Sequence, residues 1–181
     1  IYAVETGSAG EAAAQEKGWE INSVAAQADA LMEVEAGTSD AAIVDLLMAT
    51  AMTGEGTSYP DLTYDAEQKL TTEEYGIGCR KGSDLAAFIN NVLAETYADG
   101  SMKKVADTYK LADMAKLVAE KLGVDIEFTV INWDNKIMEL DSKAIDVVWN
   151  GMTLTDEVKN SMECTNPYFN NAQVVVTKAA E

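Results

Sequence analysis

Apolar and polar positions change period several times along this chain, and each change marks an element. Ile1 to Glu5 is β-prone and alternating, and Thr6-Gly7-Ser8-Ala9-Gly10 breaks it with turn residues. Glu11 to Lys17 is Ala-rich and helical, and Gly18 stops it. Trp19-Glu20-Ile21-Asn22-Ser23-Val24 alternates again as a strand, and Ala25 to Glu35 carries apolar residues at helical spacing. Asp40 then opens a short apolar strand, Ala41 to Val44, followed by a helix over Leu46 to Met52.

The second half follows the same plan. Asp113 to Leu122 is an amphipathic helix ended by Gly123, Val124-Asp125-Ile126-Glu127-Phe128-Thr129-Val130 alternates as a strand, and another helix follows. Leu31-Met32-Glu33 precedes Asp40 as Ile137-Met138-Glu139 precedes Asp146, and Met and Asp are eight residues apart in both. The copies are 106 residues apart at the Met-Glu pair and 105 at the glycines Gly18 and Gly123. Two similar lobes of alternating helix and strand, with a mostly parallel sheet, are the expectation. The alternative is chance recurrence of Leu, Met and Glu as common helix formers.

Between the copies, Tyr75-Gly76-Ile77-Gly78-Cys79-Arg80-Lys81-Gly82 forms a strand bounded by glycines. Ser83 caps a helix from Asp84 to Tyr97, Asp99-Gly100 ends it, and Ser101 starts a short helix to about Tyr109. Thr53 to Tyr64 is rich in Gly, Thr, Tyr and Asp, carries Pro60, and is expected to be loop.

Charge narrows the function. The 181 residues hold 31 acidic and 13 basic side chains, a net charge of -18, with no histidine. Such a polyanion argues against nucleic acid and anionic lipid as partners, because both are bound by Lys and Arg displacing counterions. Without histidine there is no Ser-His-Asp or Cys-His relay and no His-ligated zinc. An apolar content of 48% with 24% charged residues is that of a folded globular protein, and no apolar run approaches the length of a membrane helix. The chain starts at Ile1 with no basic and apolar leader, so any export signal has been removed or was never included. Cys79 and Cys164 are too few for a zinc site, and their plain reading is two buried free thiols.

In parallel α/β sheets ligands gather at the carboxyl ends of strands, and three such ends stand out. At the turn Thr6 to Gly10, the amides of Ser8, Ala9 and Gly10 can point at an anion with a helix dipole behind them, or simply form a turn. Asp45 closes the apolar strand, where a partly desolvated carboxylate favours an ammonium, or serves as N-cap of the next helix. The third end is Trp149-Asn150-Gly151-Met152-Thr153, where Gly151 allows close backbone approach and Thr153 offers a hydroxyl. By the repeat, Asp45 and Gly151 take equivalent strand ends, which suggests two facing walls of one cleft.

Five segments carry a resemblance: VETGSAGE at Val4 to Glu11, SDAAIVD at Ser39 to Asp45, YGIGCRKG at Tyr75 to Gly82, ADMAKLVAEKLG at Ala112 to Gly123, and Lys136 to Phe169, ending in NPYF. In these the chain resembles the polar amino-acid substrate-binding proteins of ABC importers. The resemblance implies an α/β fold of the periplasmic binding protein type II, two flavodoxin-like lobes joined by a hinge. It implies a second lobe of residues 1–74 plus 173–181 and a first lobe of residues 75–172. The implied function is capture of an amino acid or related small amine for an ABC permease, by a monomer that is periplasmic or extracellular, or a cell-surface lipoprotein in a Gram-positive source. It implies no catalytic residue, metal or cofactor. Asp45 matches the carboxylate that takes the ligand ammonium, Gly151 and Thr153 match first-lobe contacts with Trp149 and Asn150 beside them, and Ser8 and Ala9 match the site for the ligand carboxylate.

The chain departs from the family pattern in several places. Val158 stands where the pattern has an arginine that clamps the ligand carboxylate, a loss worth about 2 to 5 kcal/mol for a buried charged pair. At Ala9 a hydroxyl is often found. The segment order is that of a circularly permuted chain. The family's first strand, which should precede Ala112, is missing, and that leads to the expectation of a break or excised segment between Leu111 and Ala112. The family alignment also brings Cys79 and Cys164 near each other, as packed thiols or as a disulfide. Two rival readings remain: an engineered, permuted or sensor-type scaffold with weakened binding, and a dehydratase-like enzyme on the same fold.

Overall fold

The computed structural model describes residues 1–101 and 111–180, so all of the short helix expected after Ser101 lies outside the described residues. The chain divides into two units, the first comprising Ile1–Glu73, Asn132–Asp134 and Asn170–Glu181, the second Glu74–Ile131 and Asn135–Phe169.

In the first unit β1 (Tyr2–Glu5) lies between β2 (Ile21–Val24) and β3 (Ala41–Asp45) and is parallel to both, with Tyr2 opposite Ile21 on one side and Ala41 on the other. β7 (Phe169–Lys178) runs antiparallel to β3, setting Val44 opposite Val174 and Asp45 opposite Gln173. β4 (Leu62–Arg80) follows β7 in the sheet order and continues into the second unit. β1 and β3 are covered on both faces, so they read as unbroken apolar runs, Ala3-Val4 and Ala41 to Val44. Leu31 and Val34 of α2 (Gln27–Ala36) bury against one face with Ala3, Ala42, Val44 and Val174. Ala14 of α1 (Ala9–Glu16) buries with Val4 and Ile43 on the other. α3 (Leu46–Met52) adds Ala49 to the first cluster.

Element ends depart from the sequence expectation where side chains cap them. α1 begins at Ala9 rather than Glu11, because the Ser8 hydroxyl accepts the Glu11 N–H and fixes the start. β4 is far longer than Tyr75 to Gly82, and the loop expected up to Tyr64 ends at Asp61. The stretch Asp65 to Glu74 is polar on both faces, which hides its strand period.

In the second unit the end of β4 pairs antiparallel with β5 (Val147–Thr153) and with β6 (Met162–Cys164). Around them lie α4 (Leu85–Ala98), α5 (Leu111–Leu122), α6 (Lys136–Asp141) and α7 (Asp156–Ser161). Ile77, Cys79, Ile89, Met114, Val118, Val148 and Met152 are buried there. Gly78 lets Met162 pack close, since a Cβ on it would stand 2.4 Å from the Met162 sulfur and make that side chain shift.

Two expectations fail in this unit. Val124 to Val130 forms no strand, because no described residue offers it a ladder, and alternation alone does not hold an extended segment in a sheet. Leu111 and Ala112 are consecutive residues of α5, so the break expected between them is absent. The cysteines follow their plain reading as free thiols rather than the disulfide alternative: Cys79 and Cys164 are both free. Cys164 lies directly opposite Gly78, so its side chain shares Gly78's face of the sheet while Cys79, one residue on, points to the other.

Candidate functional site

The residues singled out in the sequence fall into two sets, one in each unit. Asp45, Ser8 and Ala9 belong to the first; Trp149, Asn150, Gly151, Thr153 and Val158 belong to the second.

Asp45 ends β3 and is half-buried. It stands at the N-cap position of α3, yet its carboxylate makes no capping bond there. The carboxylate instead accepts from three side-chain amides: Gln27 Nε2 at 2.7 Å on one oxygen, and Asn171 Nδ2 at 3.0 Å and Gln173 Nε2 at 2.5 Å on the other. Gln27 is held in turn, because its Oε1 accepts the Asp45 backbone N–H at 2.9 Å. The β3–β7 register sets Gln173 opposite Asp45, and residues directly opposite share a face. Both amides also reach Glu73, at 3.4 Å from Asn171 and 3.1 Å from Gln173, and the Thr71 hydroxyl donates to Glu73 at 2.7 Å. Glu73, Asn171 and Gln173 are all buried.

Sequence reasoning missed Gln27, Glu73, Asn171 and Gln173. Their signal was faint: polar residues next to the apolar run Val174-Val175-Val176, in a strand whose pairing with β3 joins positions 128 residues apart. Amide donors orient a carboxylate without cancelling its charge, and a second carboxylate on the same donors deepens the negative potential. The network is suited to a cation with N–H groups. Among the described residues no group of three or more His, Cys, Asp or Glu could hold a metal ion.

Ser8 is engaged in capping. Its hydroxyl accepts the Glu11 N–H at 3.1 Å, and the Glu11 carboxylate reaches back to the Gly7 N–H at 2.9 Å while accepting from the Ser23 hydroxyl at 2.8 Å. This is a variant of the capping box, closed on the Gly7 N–H rather than on that of the N-cap and signalled by the Ser8-x-x-Glu11 spacing. The Ser8 N–H donates to the Glu5 carbonyl at 3.2 Å. Ala9, half-buried, offers only a methyl group.

In the second set β5 carries a bulge. Gly76 pairs with Met152 and Gly78 with Val148, so Trp149, Asn150 and Gly151 together oppose the single residue Ile77. Gly151 therefore lies inside β5 rather than at its end, which corrects the sequence placement. Its φ of +58° and the Tyr75 ring 3.3 Å from where a Cβ would stand both call for glycine. The Trp149 ring meets Tyr168 edge-on, with centroids 6.2 Å apart, and its buried indole N–H has no hydrogen-bond partner among the described residues. Thr153 pairs with Tyr75. Val158 is buried and its N–H is taken by the Thr155 hydroxyl at 3.2 Å, so it serves packing.

Burial pushes the Cys79 thiol up to about 12, with the neighbouring Cys164 adding to the shift and Arg80 opposing it. Cys164 is raised mainly by burial as well.

Comparison with known proteins adds sequence and fold evidence. Residues 111–181 match the bacterial extracellular solute-binding proteins, family 3. The L-cystine-binding protein TcyJ of Escherichia coli (strain K12) is 37% identical over 70 residues, which are 38% of this chain and 26% of that protein. The chain thus spans about a quarter of the length of this relative. Of the solved structures, the GluR0 ligand-binding core in complex with L-glutamate aligns with 100% of this chain and 85% of its own, at a TM-score of 0.53 and 13% identity. The substrate-binding protein of an amino acid ABC transporter aligns with 100% and 86%, at a TM-score of 0.52 and 12% identity. The match over residues 111–181 takes in the β5 set but not Asp45, Ser8 or Ala9. Residues 111–181 match the family 3 solute-binding proteins in sequence, and the chain as a whole shares the type II periplasmic-binding-protein fold.

Proposed function

We propose that this chain is a solute-binding protein of an amino-acid ABC importer, working outside the cytoplasm, and that it captures an amino acid or related small amine without chemistry on it. The observation that carries this reading is the Asp45 carboxylate at the end of β3, half-buried and oriented by Gln27, Asn171 and Gln173. An ammonium group supplies the positive charge and the N–H donors such a carboxylate favours. The amino-acid-binding names of the relatives support the same class of ligand. Among the described residues no helix is long and apolar enough to cross a membrane. The permuted segment order belongs to the same proposal, supported by a family match that starts only at residue 111 behind the β1–β3 unit.

The Gly151 and Thr153 positions of β5 are a second candidate contact, to be probed by Thr153→Val. Val158 and Ala9 give a ligand carboxylate neither a cation nor a hydroxyl, so carboxylate-free amines belong beside amino acids in any screen. A thermal-shift screen over the standard amino acids and their decarboxylated amines tests the proposal, since a ligand that binds only the native state raises its melting temperature. A saturable rise with a member of either series is expected. A flat response to both contradicts the reading.

A further inference from the structure

Two carboxylates and two primary amides close a ring of hydrogen bonds in the first unit. The Asn171 Nδ2 group donates to Asp45 Oδ1 at 3.0 Å and to Glu73 Oε2 at 3.4 Å. Gln173 Nε2 donates to the same two oxygens, at 2.5 Å and 3.1 Å. A primary amide carries two N–H donors, so each of these groups gives one to Asp45 and one to Glu73. The members arrive from three strands: Asp45 ends β3, Asn171 and Gln173 lie on β7, and Glu73 lies on β4.

An amide side chain can turn end for end with little change of shape, and the groups around it decide which end faces them. Here both carboxylates call for the same end. A turned Asn171 or Gln173 would set its carbonyl oxygen against Asp45 and Glu73 together, an acceptor against two charged acceptors. The carbonyl ends have their own places. Asn171 Oδ1 accepts the Leu47 N–H at 3.4 Å, and Gln173 Oε1 lies beside Gly10, where a Cβ would stand 2.9 Å from it. Glu73 is fixed as well, since it is only 8% exposed and its Oε1 accepts the Thr71 hydroxyl at 2.7 Å. Burying a carboxylate carries a desolvation cost that an apolar residue would not, and the ring gives this one a role.

We propose that Glu73 is a positioning residue of the Asp45 site: it holds the Asn171 and Gln173 amides with their N–H groups toward Asp45 and so keeps that carboxylate fixed for a ligand ammonium. The inference rests on the reading of Asp45 as the ammonium site, and the role needs no contact between Glu73 and the ligand.

Two measurements test it, side-chain amide NMR without ligand and calorimetric titration with L-lysine and cadaverine, an ammonium compound with and one without a carboxylate. In the parent protein both amide protons of Asn171 and of Gln173 are expected downfield of exposed amides and in slow exchange. Glu73→Met, which keeps the side-chain length and removes both acceptors, should return one proton of each pair to the ordinary position. Glu73→Gln, which keeps an acceptor oxygen and removes the charge, should retain the pattern. Affinity for whichever compound binds the parent should fall about tenfold or more in Glu73→Met and stay within about threefold in Glu73→Gln. The proposal is overturned by ordinary amide resonances in the parent, by a Glu73→Met protein that keeps its amide pattern or its affinity, or by a Glu73→Gln protein that loses as much as Glu73→Met, which would make charge rather than orientation the agent. If Glu73→Met does not fold, the parent and Glu73→Gln decide: a retained pattern and affinity support the proposal, and their loss overturns it. A parent that binds neither compound counts against the Asp45 reading, and the amide resonances still decide whether Glu73 orients the ring.

Discussion

The two units start from nearly the same local sequence plan and end in different states. In the first, Ile21 to Val24 is a strand because β1 lies beside it; in the second, Val124 to Val130 has a stronger alternation and no ladder among the described residues. A strand is a property of its neighbours as much as of its residues. The first unit also holds the polar network around Asp45, which needs β7 beside β3. The units thus differ in where substitutions should matter.

The largest effect is expected in the core of the first unit. Ile43→Ala removes a buried side chain from the middle of β3 and should cost about 2 to 5 kcal/mol in urea unfolding, whereas Phe128→Ala in the exposed segment should change stability by about 0.5 kcal/mol or less. Equal losses at the two positions would break the contrast between the units.

A smaller effect is expected at the start of α1. Ser8→Ala should cost about 1 kcal/mol, and Glu11→Ala in that background should cost less than it does alone, because the two side chains form one capping box. Strict additivity in a double-mutant cycle would show that the two caps act independently.

The smallest effect tests the second unit through pH. With its pKa raised in the folded state, Cys79 keeps its proton while the unfolded chain loses one, so its contribution is intact below the ordinary thiol range. That contribution is lost as pH rises toward about 12. Urea midpoints should therefore fall between about pH 8 and about pH 10 in the parent protein, and less steeply in Cys79→Ala. In the native state Cys79 should resist alkylation until the protein unfolds.

How much of this was legible in the sequence depends on the distance over which each feature is specified. β1, α1, β2, α2 and β3 come from periods and caps within a few residues, and their places in the sequence were readable with ends shifted by a turn residue or a cap. Asp45 was readable because a carboxylate closing Ala41 to Val44 breaks an apolar run. Its partners Asn171 and Gln173 were not, since they arrive on a strand from the far end of the chain. Nor was the bulge at Trp149 to Gly151, which exists only as a mismatch with the residues of β4. Val124 to Val130 shows the converse, a local signal that no described strand pairs with.

The central claim is that the Asp45 carboxylate binds an ammonium. Its most direct test is calorimetric titration of the parent protein and Asp45→Asn with the best ligand from the thermal-shift screen. The substitution keeps the shape of the side chain and removes its charge, so affinity should fall by about 30-fold or more, the loss expected when one partner of a buried charge pair is removed. Unchanged affinity in an Asp45→Asn protein that remains folded would contradict it.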